Sequence, residues 1–232
     1  MRHTSFLLTL LAATSLVSRL EAQHIAEPPR LLDDIKFLTA EPLQGRATGS
    51  PGADSAATYL ARRFSEVGLQ PAAGGWFQSF TVGRNAPAVR QVKARTVVGK
   101  NVVGILPGRD PILRNQTVVL GAHYDHLGLG GFGSLDPDSN GRVHNGADDN
   151  ASGVAGLIQV AARLAASPPA RTVVFIAFSG EELGLLGSAH YVKQPIYPLS
   201  GTLAMVNLDM VGRLRNGRLI VYGARSAEEF PA

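Results

Sequence analysis

The second half of the chain carries short apolar segments that alternate with helical patterns. Continuous apolar runs at 117–122, 172–178 and 203–208 predict strands that are buried on both faces, as in a largely parallel sheet. Apolar residues recur at helical spacing between these runs, at 151–166 and 183–192. Strands that alternate with helices favour an α/β sheet with helices packed on its faces.

The first half predicts two helices followed by strands. Residues 30–43 have the pattern of a short amphipathic helix, and 53–67 predict a helix that ends at Gly68. The strands predicted in this half are 77–82, 92–98 and 101–106. The sequence shows no internal repeat and no convincing linker, so we predict a single domain.

Polar residues that could bind a metal follow each of the three buried runs. His123 and Asp125 follow the first run, Glu181 and Glu182 follow the second, and Asp209 follows the third. In open α/β sheets, ligands bind outside the carboxyl ends of the strands. We therefore expect these side chains to meet at one edge of the sheet.

A further acidic group, Asp148-Asp149-Asn150, precedes the helix predicted at 151–166. Taken alone, such residues are typical helix caps or partners of the helix dipole. Together with the residues at the strand ends, they provide the imidazole and carboxylate ligands of a hydrolytic metal site. Adjacent glutamates can divide the work, because one can bind metal while the other accepts a proton from the attacking water.

Composition and motifs argue against several other classes of protein. Of 232 residues, 45% are hydrophobic and 17% are charged, which is ordinary for a globular chain. The net charge is +4, but the arginines are scattered, so we predict no nucleic-acid binding.

The absence of cysteine leaves only histidine and carboxylates as metal ligands. A GxGxxG match at Gly128–Gly133 leads into a turn-rich loop instead of a helix, and no GxSxG motif occurs.

The first 22 residues have the pattern of a signal peptide. A basic head precedes an apolar run from Phe6 to Val17, and Ala22 is a small residue at a plausible cleavage point. The run is too short to span a bilayer comfortably. We therefore predict a secreted or periplasmic protein without a membrane span, with a signal peptide at 1–22 and the mature domain at 23–232.

Four motifs occur in a fixed order: His123-Tyr-Asp-His-Leu-Gly128, Asn145-Gly-Ala-Asp-Asp-Asn-Ala-Ser-Gly153, Glu181-Glu-Leu-Gly-Leu-Leu-Gly-Ser188 and Asn207-Leu-Asp-Met-Val-Gly212. They resemble the co-catalytic zinc aminopeptidase family, which includes glutamate carboxypeptidases and has the glutaminyl cyclases as relatives. The resemblance extends from about Leu31 to the end of the chain. It implies a three-layer α/β/α sandwich with a mixed, mainly parallel central sheet, and a zinc peptidase domain at 23–232.

The resemblance also implies the metal ligands. His123 and Asp209 would hold one zinc ion, and Glu182 would be a ligand of a second. Asp148 would bridge the two ions, with a cis peptide bond between Asp148 and Asp149. A ligand set of nitrogen and oxygen atoms also accepts manganese or cobalt.

The implied catalytic residues are Glu181, the general base that activates the water, and Asp125, the partner that orients His123. The implied function is an aminopeptidase that hydrolyses N-terminal residues from peptides. A carboxypeptidase or a glutaminyl cyclase on the same fold is an alternative, and so is a non-catalytic relative that acts as a binding module. The sequence leaves side-chain specificity and oligomeric state open.

One departure concerns the second zinc ion, which in the family takes a further histidine downstream of the position of Asp209. No histidine follows His190 in this chain. His126, within the first motif, and His144 lie near the predicted site, but the pattern does not favour either of them as a replacement ligand. The simplest interpretation is a chain that lacks the last strands of its domain, which leaves its second metal position and its activity open.

Overall fold

A computed structural model of the chain describes residues 28–83, 96–131, 133–214 and 216–226. The α-helices in this part are α1 (Pro28–Leu38), α2 (Pro51–Glu66), α3 (Gly153–Ala166) and α4 (Leu186–Lys193). The strands are β1 (Gln70–Pro71), β2 (Phe77–Gly83), β3 (Thr96–Leu106), β4 (Thr117–His123), β5 (Thr172–Phe178) and β6 (Thr202–Asn207). Over the described residues these strands form one sheet in the order β1-β3-β5-β4-β6, and β2 also pairs with β3.

The sheet combines parallel and antiparallel strands. Strand β4 pairs in parallel with β5 and β6, whereas β3 pairs antiparallel with β5, β1 and β2. In the parallel part, His123 lies opposite Phe178, and Gly121 lies opposite Asn207. The carboxyl ends of β4, β5 and β6 therefore meet at one edge, as the sequence predicted.

Helices cover both faces of the sheet. On one face α1, α2 and α3 pack on a core that includes Leu60, Leu157 and Phe175. On the other face, Tyr191 of α4 packs in a smaller core with residues such as Ile176. Each large apolar side chain that is fully buried here contributes about 1.5–3 kcal/mol to folding. The predicted three-layer α/β/α architecture with a mixed sheet is confirmed.

Strand β3 is continuous from Thr96 to Leu106, where the sequence predicted two strands at 92–98 and 101–106. Residues 92–95 of the first predicted strand lie outside the part of the chain that the structure describes. Gly99 lies against the ring of Phe80, where a Cβ would come within 2.3 Å of the ring's Cζ. The buried Asn101 donates to the carbonyl oxygen of Gly187 and accepts from the N–H of Ser179. The interruption in the apolar pattern therefore does not interrupt the strand, because both residues have specific partners there.

Two helices are shorter than the sequence predicted. Helix α1 ends at Leu38, and a 3₁₀ turn over Glu41–Arg46 follows it, with Pro42 near the start of the turn. Proline cannot donate the hydrogen bond that would continue α1, so the helix cannot extend to residue 43. Helix α4 begins at Leu186 because Gly184 and Leu185 have positive φ angles of 101° and 59°.

The predicted signal peptide at 1–22 lies outside the residues that the structure describes. Among those it does describe, none of the helices combines the length and the apolar character needed to cross a bilayer.

Candidate metal centre

The imidazole of His123, at the end of β4, lies at the centre of the candidate site, with a side chain that is only 3% exposed. Its Nε2 lies 3.1 Å from Asp149 Oδ1, 3.6 Å from Asp209 Oδ1 and 3.9 Å from Glu181 Oε2. These three carboxylates come from the turn before α3, from the end of β6 and from the end of β5. Residues that are distant in the sequence thus converge on one nitrogen atom.

This convergence changes the titration of the residues involved. Burial of the ring by itself lowers the pKa of His123. Hydrogen bonds to Asp149 and Asp209 raise this pKa, and so do the charges of Asp125 and Glu181. The raising effects outweigh burial, and the pKa of His123 rises to about 11. The hydrogen bond from His123 lowers the pKa of Asp149. Burial raises the pKa of Glu181, and the neighbouring carboxylates add to that effect. The site therefore stabilises positive charge, which a divalent cation would also supply.

Among the residues that the structure describes, the side chains that could hold a metal form three overlapping groups. Within each group, donor atoms on all three residues lie within 4.8 Å of one another: His123, Asp149 and Asp209; His123, Glu181 and Glu182; His126, Asp149 and Glu182. Asp149 belongs to the first and third groups, so its carboxylate connects two candidate positions. Imidazole nitrogen and carboxylate oxygen are donors that zinc prefers, so the described residues fit this ion.

The structure brings Asp149 into these groups, whereas the sequence predicted Asp148 at this place. Asp148 Oδ1 instead accepts a hydrogen bond from the N–H of Gly212 at 3.0 Å, and its Oδ2 lies 3.4 Å from Arg213 Nε. Both aspartates belong to an irregular helical turn, Ala147–Ser152, in which Asp149 has a non-helical backbone with φ −106° and ψ 94°. Because the backbone departs from the helix between them, the two side chains take different directions.

Asn150 follows these aspartates and ties their turn to the end of β6. It is fully buried, and its Nδ2 donates to the carbonyl oxygen of Leu208 at 2.9 Å. Its Oδ1 accepts from the N–H groups of Gly153 and Met210 at 3.0 and 3.2 Å. The cis peptide bond joins Asp149 to Asn150, so the predicted position between Asp148 and Asp149 is wrong.

Asp125 is also fully buried, and its carboxylate holds the loop that follows β5. It accepts hydrogen bonds from Thr48 Oγ1 at 2.7 Å and from the N–H groups of Glu181 and Glu182 at 3.2 and 3.4 Å. Burial raises the pKa of Asp125. His123 Nδ1 lies 3.1 Å from the backbone oxygen of Asp125 and 3.8 Å from its carboxylate. The carbonyl, and not the predicted carboxylate, is therefore the hydrogen-bond acceptor for His123.

Arg46 is fully buried and holds the backbone of the segments that carry the candidate ligands. The sequence analysis did not include it among the site residues. Its guanidinium donates to four backbone oxygens, those of Leu38, Tyr124 (2.7 Å), Asn145 (2.8 Å) and Gly146 (3.2 Å). Burial lowers the pKa of Arg46 to about 10, which still leaves it charged at neutral pH. An arginine in a turn has no periodic pattern that predicts its burial, so Arg46 has no local signal.

A pocket of about 250 Å³ opens beside this cluster. Its lining includes His123, Glu181 and Asp209, together with the apolar side chains of Phe178, Leu185 and Met205. A substrate group bound in the pocket would therefore lie next to the Glu181 carboxylate.

Comparison with known proteins connects this geometry to a family. A probable zinc metalloprotease of Pyrenophora tritici-repentis is 30% identical over 202 residues, which cover 85% of this chain and 43% of that protein. Aminopeptidase YwaD of Bacillus subtilis is 36% identical over 127 residues, which cover 54% of this chain and 25% of that protein. The chain thus spans less than half the length of these curated relatives.

Among solved structures, the glutaminyl cyclase of Porphyromonas gingivalis superposes with a TM-score of 0.63 at 21% sequence identity. The superposition covers 81% of this chain and 62% of that one, and it supports the fold alone.

The sequence profile of peptidase family M28 matches residues 101–231, which is more than half of the chain. The match includes His123, Asp149, Glu181, Glu182 and Asp209, the residues that converge at the carboxyl edge of the sheet. The chain therefore belongs to peptidase family M28.

Proposed function

We propose that this chain forms the zinc centre of a secreted metallo-exopeptidase, an aminopeptidase that hydrolyses N-terminal residues from peptides. The convergence of Asp149, Glu181 and Asp209 on the buried nitrogen of His123, beside an open pocket, carries the proposal. Membership of family M28 supports a metallopeptidase, and the relative named as an aminopeptidase supports the finer assignment. The proposal refers to the whole protein, of which this chain supplies the described residues.

The metal ligands follow from the overlapping groups of donors. His123 and Asp209 would hold one zinc ion, Glu182 would be a ligand of a second, and Asp149 would bridge them in the role that the sequence analysis gave to Asp148. Bound zinc would polarise the scissile carbonyl and make a nearby water more acidic.

Glu181 is the proposed general base. Its side chain is 32% exposed and faces the pocket, and its Oε2 lies 3.9 Å from His123 Nε2. Glu181 would accept a proton as water attacks the carbonyl carbon, and it would pass that proton to the leaving amine nitrogen as the C–N bond breaks. Asp125 supports this role because its carboxylate binds the backbone N–H groups of Glu181 and Glu182.

A Glu181→Gln substitution tests this mechanism. We expect peptide turnover to fall by at least about 100-fold, because glutamine cannot carry the proton, while zinc content stays at the wild-type level. The control is Glu41→Gln, which changes an exposed glutamate that belongs to none of the candidate donor groups. Turnover near the wild-type rate in Glu181→Gln would refute the proposed base.

Substrate assays distinguish the alternatives on the same fold. A peptide should lose residues from its free N-terminus, and acetylation of that terminus should stop the reaction. Release of residues from the C-terminus would instead indicate a carboxypeptidase, and loss of ammonia from an N-terminal glutamine would indicate a cyclase. Zinc binding without any of these reactions would favour the non-catalytic binding module.

The proposed export is tested separately. N-terminal sequencing of the protein recovered outside the cytoplasm should give Gln23 as the first residue, since the pattern places cleavage after Ala22. Recovery of the chain inside the cell with Met1 intact would argue against export.

A further inference from the structure

Asn101 of strand β3 has a fully buried amide that the proposed mechanism does not use. Its Oδ1 accepts a hydrogen bond from the N–H of Ser179 at 3.2 Å. Its Nδ2 donates to the carbonyl oxygen of Gly187 at 2.9 Å and to Gln78 Oε1 at 3.0 Å. Burial of an amide costs free energy unless it is hydrogen-bonded, so these three bonds explain how a polar side chain lies inside the protein.

Two of these partners are the ends of one segment, residues 179–187, which carries the two adjacent glutamates and is called the glutamate loop below. A Cβ at Gly187 would come within 2.2 Å of the Ser179 carbonyl oxygen and within 2.3 Å of Asn101 Oδ1. The start of α4 therefore packs directly on the beginning of the loop, and glycine allows this close approach. The Asn101 amide joins both ends of the glutamate loop to β3.

The glutamate loop is closed by its own backbone. The N–H groups of Gly184 and Leu185 donate to the carbonyl oxygen of Glu181 at 2.8 and 3.0 Å, and that of Leu186 donates to the carbonyl oxygen of Gly180 at 2.8 Å. These bonds fix the shape of the loop, but they do not attach it to the sheet. The place of the Glu181 carboxylate therefore depends on side chains outside the loop.

Such side chains come from both neighbours of β5. Asp125, just after β4, accepts from the N–H groups of Glu181 and Glu182 in the middle part of the loop. Asn101 of β3 binds the two ends of the loop. Because β5 lies between β3 and β4 in the sheet, the glutamate loop is held from both sides.

We propose that Asn101 is a positioning residue for Glu181, whose carboxylate it keeps beside the pocket by holding the ends of the glutamate loop. The inference rests on the proposed role of Glu181 as the general base. Asn101 does not line the pocket and belongs to none of the candidate donor groups found among the described residues, so it acts through the backbone of the loop. A misplacement of about 1 Å at a reacting group can cost about 100-fold in rate.

Peptide turnover by Asn101→Ala, measured with zinc in excess, is the first test. We expect kcat to fall about 10–100-fold and KM to stay within about twofold, because the pocket lining is unchanged. The matched control is Thr172→Ala, at a buried side chain at the other end of β5 that accepts from the N–H of Gly108 and donates to the carbonyl oxygen of Arg114. It should keep the wild-type kcat. An equal kcat in Asn101→Ala and in this control would overturn the proposal.

Gly187→Ala provides a second route to the same effect, because it leaves Asn101 in place. The added Cβ has no room beside Ser179 and Asn101, so it should move the end of the loop away from the amide. We expect a similar fall in kcat, and a wild-type kcat would contradict the proposed role of the amide.

A double variant tests whether Asn101 acts through Glu181. Turnover by Asn101→Ala combined with Glu181→Gln should lie within about twofold of Glu181→Gln alone, because the group that Asn101 positions is already lost. If the double variant instead lost the full factor measured for Asn101→Ala alone, Asn101 would act on another group and the proposal would be overturned.

Hydrogen exchange, followed by mass spectrometry, tests the hold on the loop without any assay of activity. Peptides that span 179–187 should exchange at least about tenfold faster in Asn101→Ala than in the wild type and in Thr172→Ala. The two proposals can then fail separately. Wild-type turnover in Glu181→Gln would refute the base, whatever the exchange shows. Slow turnover in Glu181→Gln with unchanged exchange in Asn101→Ala would refute the role of Asn101 alone.

Discussion

The side chain of Arg46 shows how one residue can organise three separate segments of the chain. Its hydrogen bonds reach the end of α1 at Leu38, the residue after β4 at Tyr124, and the turn before α3 at Asn145 and Gly146. The hydrogen bonds to Leu38, Tyr124 and Gly146 are buried, and the one to Asn145 is partly buried. Buried carbonyl groups that lose their donors cost free energy, so the guanidinium contributes to the shape of the site and to the stability of the fold.

Arg46→Lys tests this contribution. Lysine keeps the charge but lacks the planar fork of donors, so several carbonyl groups would lose their partners. We expect the free energy of unfolding, measured by urea denaturation, to fall by about 3 kcal/mol. The control is Arg62→Lys, at a side chain that is 63% exposed, for which we expect a change within about 0.5 kcal/mol. Similar small changes in both variants would contradict the role given to Arg46.

At this scale the sequence predicted which chemistry to expect but not every residue that supplies it. His123, Glu181 and Asp209 follow β4, β5 and β6, and the parallel pairing of these strands brings their ends to one edge of the sheet, as the structure shows. The choice between Asp148 and Asp149 depends on the backbone angles of an irregular turn. Because the two neighbouring residues are identical, the sequence does not indicate which side chain faces the site. Their roles as metal ligands remain predictions.

Helices α1 and α2 are joined by a buried polar cluster in addition to their apolar contacts. Asp34 of α1 accepts hydrogen bonds from Tyr59 Oη at 2.6 Å and from Arg63 Nε at 2.7 Å. The ring of Tyr59 stacks on Phe37 with centroids 3.8 Å apart. Burial raises the pKa of Tyr59, and the hydrogen bond to Asp34 and the charge of Asp34 raise it further. The folded protein therefore prefers the protonated phenol.

This cluster predicts a loss of stability in alkaline solution. The unfolded chain releases the tyrosine proton near pH 10, whereas the folded chain retains it, so the contribution is complete below pH 10 and declines as pH rises above it. Tyr59→Phe should lower the free energy of unfolding by about 1 kcal/mol at pH 7, and the difference from wild type should shrink above pH 10. Denaturation series from pH 7 to above 10 measure this. The control is Tyr222→Phe, at a residue that is 89% exposed, which should have the stability of the wild type at every pH. If the free energy of unfolding of Tyr59→Phe differed from that of the wild type by the same amount at every pH, the argument would be refuted.

At the scale of elements, continuous apolar runs were sufficient to predict where β4, β5 and β6 lie in the chain. The burial that such runs predict is found in β4 and β5, but it is wrong for β6, which is mostly exposed because over the described residues it lies at the edge of the sheet. β3 was harder to predict, since Gly99 and Asn101 interrupt its apolar pattern and are accommodated by residues far away in the chain. The strand order and the antiparallel pairing of β3 with β5 depend on contacts between distant segments. Local periodicity contains no information about such contacts.

In the whole molecule, the candidate ligands lie on parts that differ greatly in packing. Strand β5 is buried along its full length, and the His123 side chain at the end of β4 is 3% exposed. Strand β6 is much more open, with Leu203 55% and Met205 48% exposed, and the Asp209 side chain that follows it is 41% exposed. An ion shared by His123 and Asp209 would therefore attach the largely exposed strand β6 to the buried strand β4.

This arrangement predicts that zinc stabilises the chain, because an ion that binds only the folded state shifts the unfolding equilibrium. With zinc at about 100 times its dissociation constant the gain should be about 2.7 kcal/mol, or roughly 5–10 °C in Tm, and a chelator should reverse it. Asp209→Asn should show less than half of this gain, because it weakens the link between β6 and β4. Asp138→Asn, at an exposed residue outside the candidate donor groups, should keep the full gain. Calorimetric scans with zinc and with chelator measure the change in Tm. An equal rise in Tm with zinc in Asp209→Asn and in the wild type would show that the ion does not hold β6.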